Sequence, residues 1–335
     1  MTVTVEGPYF DELTVGQVFD GAPGVTLTAG HAAAHQAIVG DRLRLPLDAD
    51  LCRDVTKGEP PAHPALVWDV AIGQSTLVTH HVKANLFYRG LVFRRMPLLG
   101  DTLRTSTQVV ALRQNRAKPG RRPTGLAVLR ITTVDQAGRP VLDFWRCAML
   151  PLRDPEALTG HQADLDSVGV AVTDEDLAET VTGMLAGWRL DRFRERVAGR
   201  HFAGVAEGER LRVGGGDVVS GAPELARLTL NVAQVHHDVR AAAERRLVYG
   251  GHTVGLALSQ ASRALPNLVT VVAWDGCDHV GPVHEGDTLS SEVVVERRQA
   301  LPGGGGLVRL RSLVQVVGGD GPRDVLDWRY VAVMA

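Results

Sequence analysis

The side chains that could move a proton near neutral pH are unevenly spaced along this chain. His236 stands five residues after Asn231 and sixteen before His252, and His252 closes the string Tyr249-Gly250-Gly251-His252. A histidine with an ordinary pKa near 6.5 can act as a general base. An asparagine can orient water or close a turn, but it exchanges no proton. Taken alone, His236 reads first as a structural histidine beside a strand, and His252 as a structural helix-start residue. His31 and His35, four apart after Thr28, have the spacing of a metal pair, yet no third ligand accompanies them. His80-His81 and His236-His237 would point in opposite directions along strands, so no metal is expected. Arg113, Arg116, Lys118, Arg121 and Arg122 load one expected hairpin with positive charge, and Arg89 and Arg94 lie beside Tyr88 and Phe93. Solvated turns are the ordinary reading of such clusters, and phosphate contacts are the chemical one.

Elements must position these groups, and the composition says what kind. The chain has 335 residues, 44% hydrophobic and 22% charged, with 36 basic against 38 acidic residues. Such a balance reads as globular and offers a polyanion no global attraction, so nucleic acid is an unlikely partner. Cys52, Cys147 and Cys277 are far apart and odd in number, which supports neither a disulfide framework nor a zinc ribbon. No apolar run is long enough to span a bilayer, and Met1–Tyr9 does not resemble a signal segment, so no membrane partner and a cytoplasmic location are expected.

The chain also repeats itself. Gly100-Asp101-Thr102-Leu103 returns as Gly286-Asp287-Thr288-Leu289, and Val141-Leu142-Asp143 returns as Val325-Leu326-Asp327. Gly21-Ala22-Pro23 recurs as Gly221-Ala222-Pro223, and Pro119-Gly120 as Pro302-Gly303. Colinear matches of this kind predict two structural copies. Each copy pairs one buried helix, over 65–75 and 252–264, with β-rich segments. The expected strands run over 78–87, 102–110, 126–133 and 141–149, then 269–274, 288–296, 307–317 and 325–333. Between the copies, 151–169 reads as a linker, and Thr173 caps an amphipathic helix reaching about Val197. The result is an α+β architecture.

The segment from Leu228 through Asn231, His236 and Asp238 to Leu247-Val248-Tyr249-Gly250-Gly251-His252 resembles the MaoC-type, or hydratase-2, segment of hotdog-fold enzymes. The pattern is most similar to double-hotdog hydratases of the mesaconyl-CoA hydratase (β-methylmalyl-CoA dehydratase) kind. In the first copy, Gly40-Asp41 stands where the motif begins. The resemblance implies two tandem hotdogs forming a pseudo-dimer: an N-terminal hotdog over 1–151, a linker and helix over 152–200, and a C-terminal hotdog over 201–335. A monomer or a further homo-oligomer is compatible with this.

The resemblance further implies a cofactor-independent lyase that reversibly adds water to an enoyl-CoA, forming a 3-hydroxyacyl-CoA. His236 would be the base, Asn231 the water-orienting residue, and the Thr253 N–H with Gly251 the oxyanion end of the helix. Tyr249, His252, Arg89, Arg94, Arg121 and Arg122 become candidate acyl-CoA contacts. In the first copy, Pro46 replaces the histidine, and Pro64 after His63 removes an amide hydrogen, so this half is expected not to catalyse. Two other readings remain open. One is a non-catalytic acyl-CoA-binding protein; the other is a hotdog thioesterase, for which Asp41 or Asp238 would supply the carboxylate.

Overall fold

Two helices, Pro64–Gln74 and Gly250–Ala264, form the spine of the computed structural model, which describes residues 2 and 4–335 apart from 59, 170, 171, 243, 244 and 320. Proline at the first helical position starts one helix without forfeiting a hydrogen bond. Every residue of that helix is buried. Leu66, Val67, Trp68, Val70 and Ile72 each contribute roughly 1.5–3 kcal/mol by leaving water. Its polar members are matched inside the core: Gln74 donates to the carbonyls of Pro23 and Leu103 and accepts from the Thr105 hydroxyl.

One continuous antiparallel sheet wraps both helices. Its long strands lie in the order Thr102–Gln114, Thr124–Val134, Pro140–Pro151, Ala84–Phe93, Leu268–His279, Arg323–Met334, Gly306–Val317 and Thr288–Ala300. The two halves join where Ala84–Phe93 pairs with Leu268–His279, with Tyr88 opposite Cys277 and Leu91 opposite Trp274. Behind this seam, Trp68 of the first helix packs edge-on against Trp274 and Trp328 of the second half, with ring centroids 4.8 and 6.0 Å away. The halves therefore share a core.

The repeat extends to single hydrogen bonds. Gly100 and Gly286 both have positive φ, and the following Asp101 and Asp287 each accept from the amide three residues earlier, at Leu98 and His284. Arg130 grips Asp143 with two bonds as Arg311 grips Asp327. Gln260 donates to the Leu289 carbonyl as Gln74 does to Leu103. The match between Gly21-Ala22-Pro23 and Gly221-Ala222-Pro223 is different. The first string precedes a short strand, Val25–Thr26, whereas the second starts a helix, Ala222–Leu228, so they are not structural counterparts.

Several boundaries depart from expectation. The first strand starts at Ala84 instead of residue 78, because a 3-10 turn and loop follow the helix, held by the buried Arg146, which donates to the Ser75 carbonyl and the Thr79 hydroxyl. The second spine helix begins at Gly250, two residues before the expected start. The linker helix is two, Asp174–Met184 and Leu190–Arg196, interrupted near Gly187 at φ +86. Thr173 caps the first as expected, accepting from the Asp176 amide. Both helices pack through Leu177, Val181, Leu190 and Phe193 in one cluster with Val92, Val269, Val272 and Val331, and so cover the seam.

Candidate active site

In each half, a turn with a left-handed residue precedes the helix start and presents the motif's first polar residue. Gly40 (φ +67) precedes Asp41, and Leu230 (φ +60) precedes Asn231. The Asp41 carboxylate accepts from the Leu43 amide, and Asn231 Oδ1 accepts from the Ala233 amide, in the same two-residue step. Asn231 thus closes a turn. Its carbonyl also accepts from His237 Nε2 at 2.6 Å, and it does not line the cavity described next.

That cavity, of about 340 Å³, is bounded by the 82–85 segment of the first half and by Val235, His236, Leu247, Val248, Gly250, Thr253 and His279 of the second. The His236 Nδ1 lies 2.8 Å from the Leu247 carbonyl, which can only accept, so Nδ1 carries the hydrogen and Nε2 keeps a free lone pair. The ring rests edge-on against Tyr249, with centroids 5.8 Å apart. Burial lowers the pKa of His236 to about 4; the Leu247 bond opposes this, and His237 and Arg146 add to it. His236 is therefore a neutral imidazole at physiological pH.

The helix start supplies donors. A helix leaves its first N–H groups without intrahelical acceptors, at the positive end of its dipole. The His252 amide turns back onto the Tyr249 carbonyl, and no side chain caps this end, which leaves the Gly250 and Gly251 N–H groups. Thr253, whose N–H is the oxyanion donor expected from the resemblance, is the fourth residue of this helix and lines the cavity. Both glycines are sterically required: a Cβ at Gly250 would stand 2.5 Å from His279 Nε2, and one at Gly251 would run into the Asp69 carboxylate and the Tyr249 ring.

The first half has lost both donors. Pro64 has no N–H, and the next amide, Ala65, is capped by His63 Nδ1 at 3.2 Å. His63 Nε2 lies 2.7 Å from Asp41. Burial raises the Asp41 pKa, but the charge and hydrogen bond of His63, with the Leu43 amide, outweigh it and hold the carboxyl below its ordinary value.

Other candidate contacts fall elsewhere. Tyr249 is buried and donates its hydroxyl to Asp69, whose other oxygen lies 3.1 Å from His35 Nε2; it supports His236 and does not line the cavity. His252 is fully buried outside the cavity, and neither ring nitrogen has a partner among the described residues. Arg89 is committed to the linker, donating to the carbonyls of Leu165, Asp166 and Val168. Arg94 borders a separate groove beside the acidic start of the first linker helix. Arg121 is exposed on its turn. Only Arg122 of the four lies near the cavity: it lines an adjoining groove with Lys83 and Arg240, and that groove shares Val82, Lys83 and Val235 with the cavity. Asp238 is tied to Arg240, and no carboxylate lines the cavity among the described residues. His279 and Lys83, which do line it, were not singled out from the sequence.

The profile of a family described as mesaconyl-CoA hydratase matches residues 2–295. A Chloroflexus aurantiacus protein named beta-methylmalyl-CoA dehydratase is 28% identical, over 99% of this chain and 98% of its own. A Cereibacter sphaeroides protein named mesaconyl-CoA hydratase is 29% identical, over 92% of this chain and 89% of its own. Among solved structures, a conserved hypothetical protein from Mycobacterium tuberculosis, described as having a double hotdog fold, superposes with a TM-score of 0.91 at 56% identity, over 99% of this chain and 100% of its own. The fold is accordingly a double hotdog.

Proposed function

Because the chain belongs to the mesaconyl-CoA hydratase family, we propose that it is a hydro-lyase that reversibly adds water to the double bond of an enoyl-CoA thioester, with His236 as its base. The observation carrying this is the meeting of a free imidazole lone pair and an uncapped helix start at one cavity. His236 Nε2 takes a proton from water as oxygen attacks the β-carbon, and the resulting imidazolium returns a proton to the α-carbon. The Gly250 N–H and the helix dipole support the negative charge that gathers on the thioester oxygen. No cofactor enters this scheme. The groove bearing Lys83 and Arg122 adjoins the mouth and suits the phosphates of CoA. A thioesterase would need a carboxylate at the thioester, and none lines this cavity among the described residues.

The test mixes the protein with crotonyl-CoA and branched enoyl-CoAs, following the enoyl-thioester absorbance and, separately, thiol release. Loss of absorbance without thiol supports the hydro-lyase. Thiol release would favour a thioesterase, and tight binding without either change a binding protein.

A further inference from the structure

The acid that accompanies the base histidine in the resembling motif is replaced by Asn231, and Asn231 is spent on a turn. The cavity contains a second acceptor on another element. His279, the last residue of the strand Leu268–His279, lines it together with His236 and Gly250, so a turn, a strand end and a helix start converge there. Its ring is fixed on three sides. Nε2 approaches the Gly250 backbone closely enough that only glycine fits, Tyr88 packs edge-on at 6.1 Å, and Cys277 Sγ lies 3.9 Å from Nε2. The groups facing it are His236 and Lys83 across the cavity, Cys277 on its own strand and Tyr88 on the neighbouring one.

We propose that His279 is a catalytic residue that holds the attacking water alongside His236, and this rests on the hydratase reading above. One water hydrogen goes to His236 Nε2 while the other is hydrogen-bonded to an unprotonated nitrogen of His279. As the C–O bond forms at the β-carbon, the π electrons move towards the α-carbon and thioester, and the proton held by His236 completes the α C–H bond. His279 ends the cycle as it began, neither gaining nor losing a proton. A neutral ring suits this role. Desolvation lowers the pKa of His279 to about 4, and His236 adds to the shift.

The experiment compares H279A and H279Q with the unaltered protein on crotonyl-CoA and a branched enoyl-CoA, with melting temperatures recorded for all three. Loss of the acceptor that positions the attacking water predicts about a 100-fold fall in kcat for H279A, with KM within about threefold. Glutamine, which keeps an acceptor on a similar arm, should recover much of that loss, and added imidazole should partly rescue H279A. The proposal is overturned if both variants match the unaltered protein, if the loss falls on KM alone, or if both lose activity equally and imidazole restores nothing. An unaltered protein that hydrates neither substrate would overturn the hydratase reading itself, which separates the two failures.

Discussion

At the scale of single residues, the proposed chemistry rests on an imidazole kept neutral by its surroundings. His236→Ala should lower kcat by about 10²- to 10⁴-fold with the fold retained, read from steady-state hydration and a melting curve. With the His236 pKa lowered to about 4, its base form is already complete by pH 6. The activity profile of the unaltered protein should therefore show no inflection near 6.5 and should decline only as the pH approaches 4. Asn231 behaves differently, because its side chain serves the turn. Asn231→Asp keeps the acceptor for the Ala233 amide and should leave kcat within about threefold, whereas Asn231→Ala should cost about 1 kcal/mol of stability in denaturant titrations.

At the scale of elements, the glycine pair opening the second spine helix separates catalysis from folding. Gly250→Ala pushes against His279 and should reduce kcat more than stability. Gly251→Ala meets the buried Asp69, so it should appear chiefly as a loss of melting temperature, consistent with overpacking costs of about 1–3 kcal/mol. These elements were legible in the sequence where local chemistry decided them: Pro64 starting a helix, Thr173 capping one, and the Gly-Asp-Thr-Leu turns repeating. They were illegible where a tertiary contact decided. The strand expected to stop at Trp274 runs on to His279, carried through Asp275 and Gly276 by pairing with Arg323–Met334. That early stop hid His279. Likewise, the start at Gly250 depends on the packing of His279 and Asp69 against two glycines, which no spacing along the chain announces.

At the scale of the whole molecule, the halves share one sheet and one core. Segments 1–200 and 201–335 produced separately should be insoluble or unfolded, and co-expression should recover a complex with the melting behaviour of the intact chain. The assembled core also encloses His236 and His252, each with its pKa lowered to about 4 by burial. The unfolded chain protonates these rings near 6.5, so their stabilising effect is complete above that pH and fades as pH falls towards 4. Each can contribute about 3 kcal/mol over that window. Melting temperature should thus drop steeply between pH 6.5 and 4, and His252→Leu should flatten the slope. The closed helix end of the first half, with Pro64 lacking a hydrogen and His63 occupying the next amide, has a quantitative consequence for the assembled molecule. Although built from two copies, the chain is expected to carry a single working centre. A tight non-reacting thioester should saturate it at one equivalent per polypeptide, and its binding isotherm should be hyperbolic.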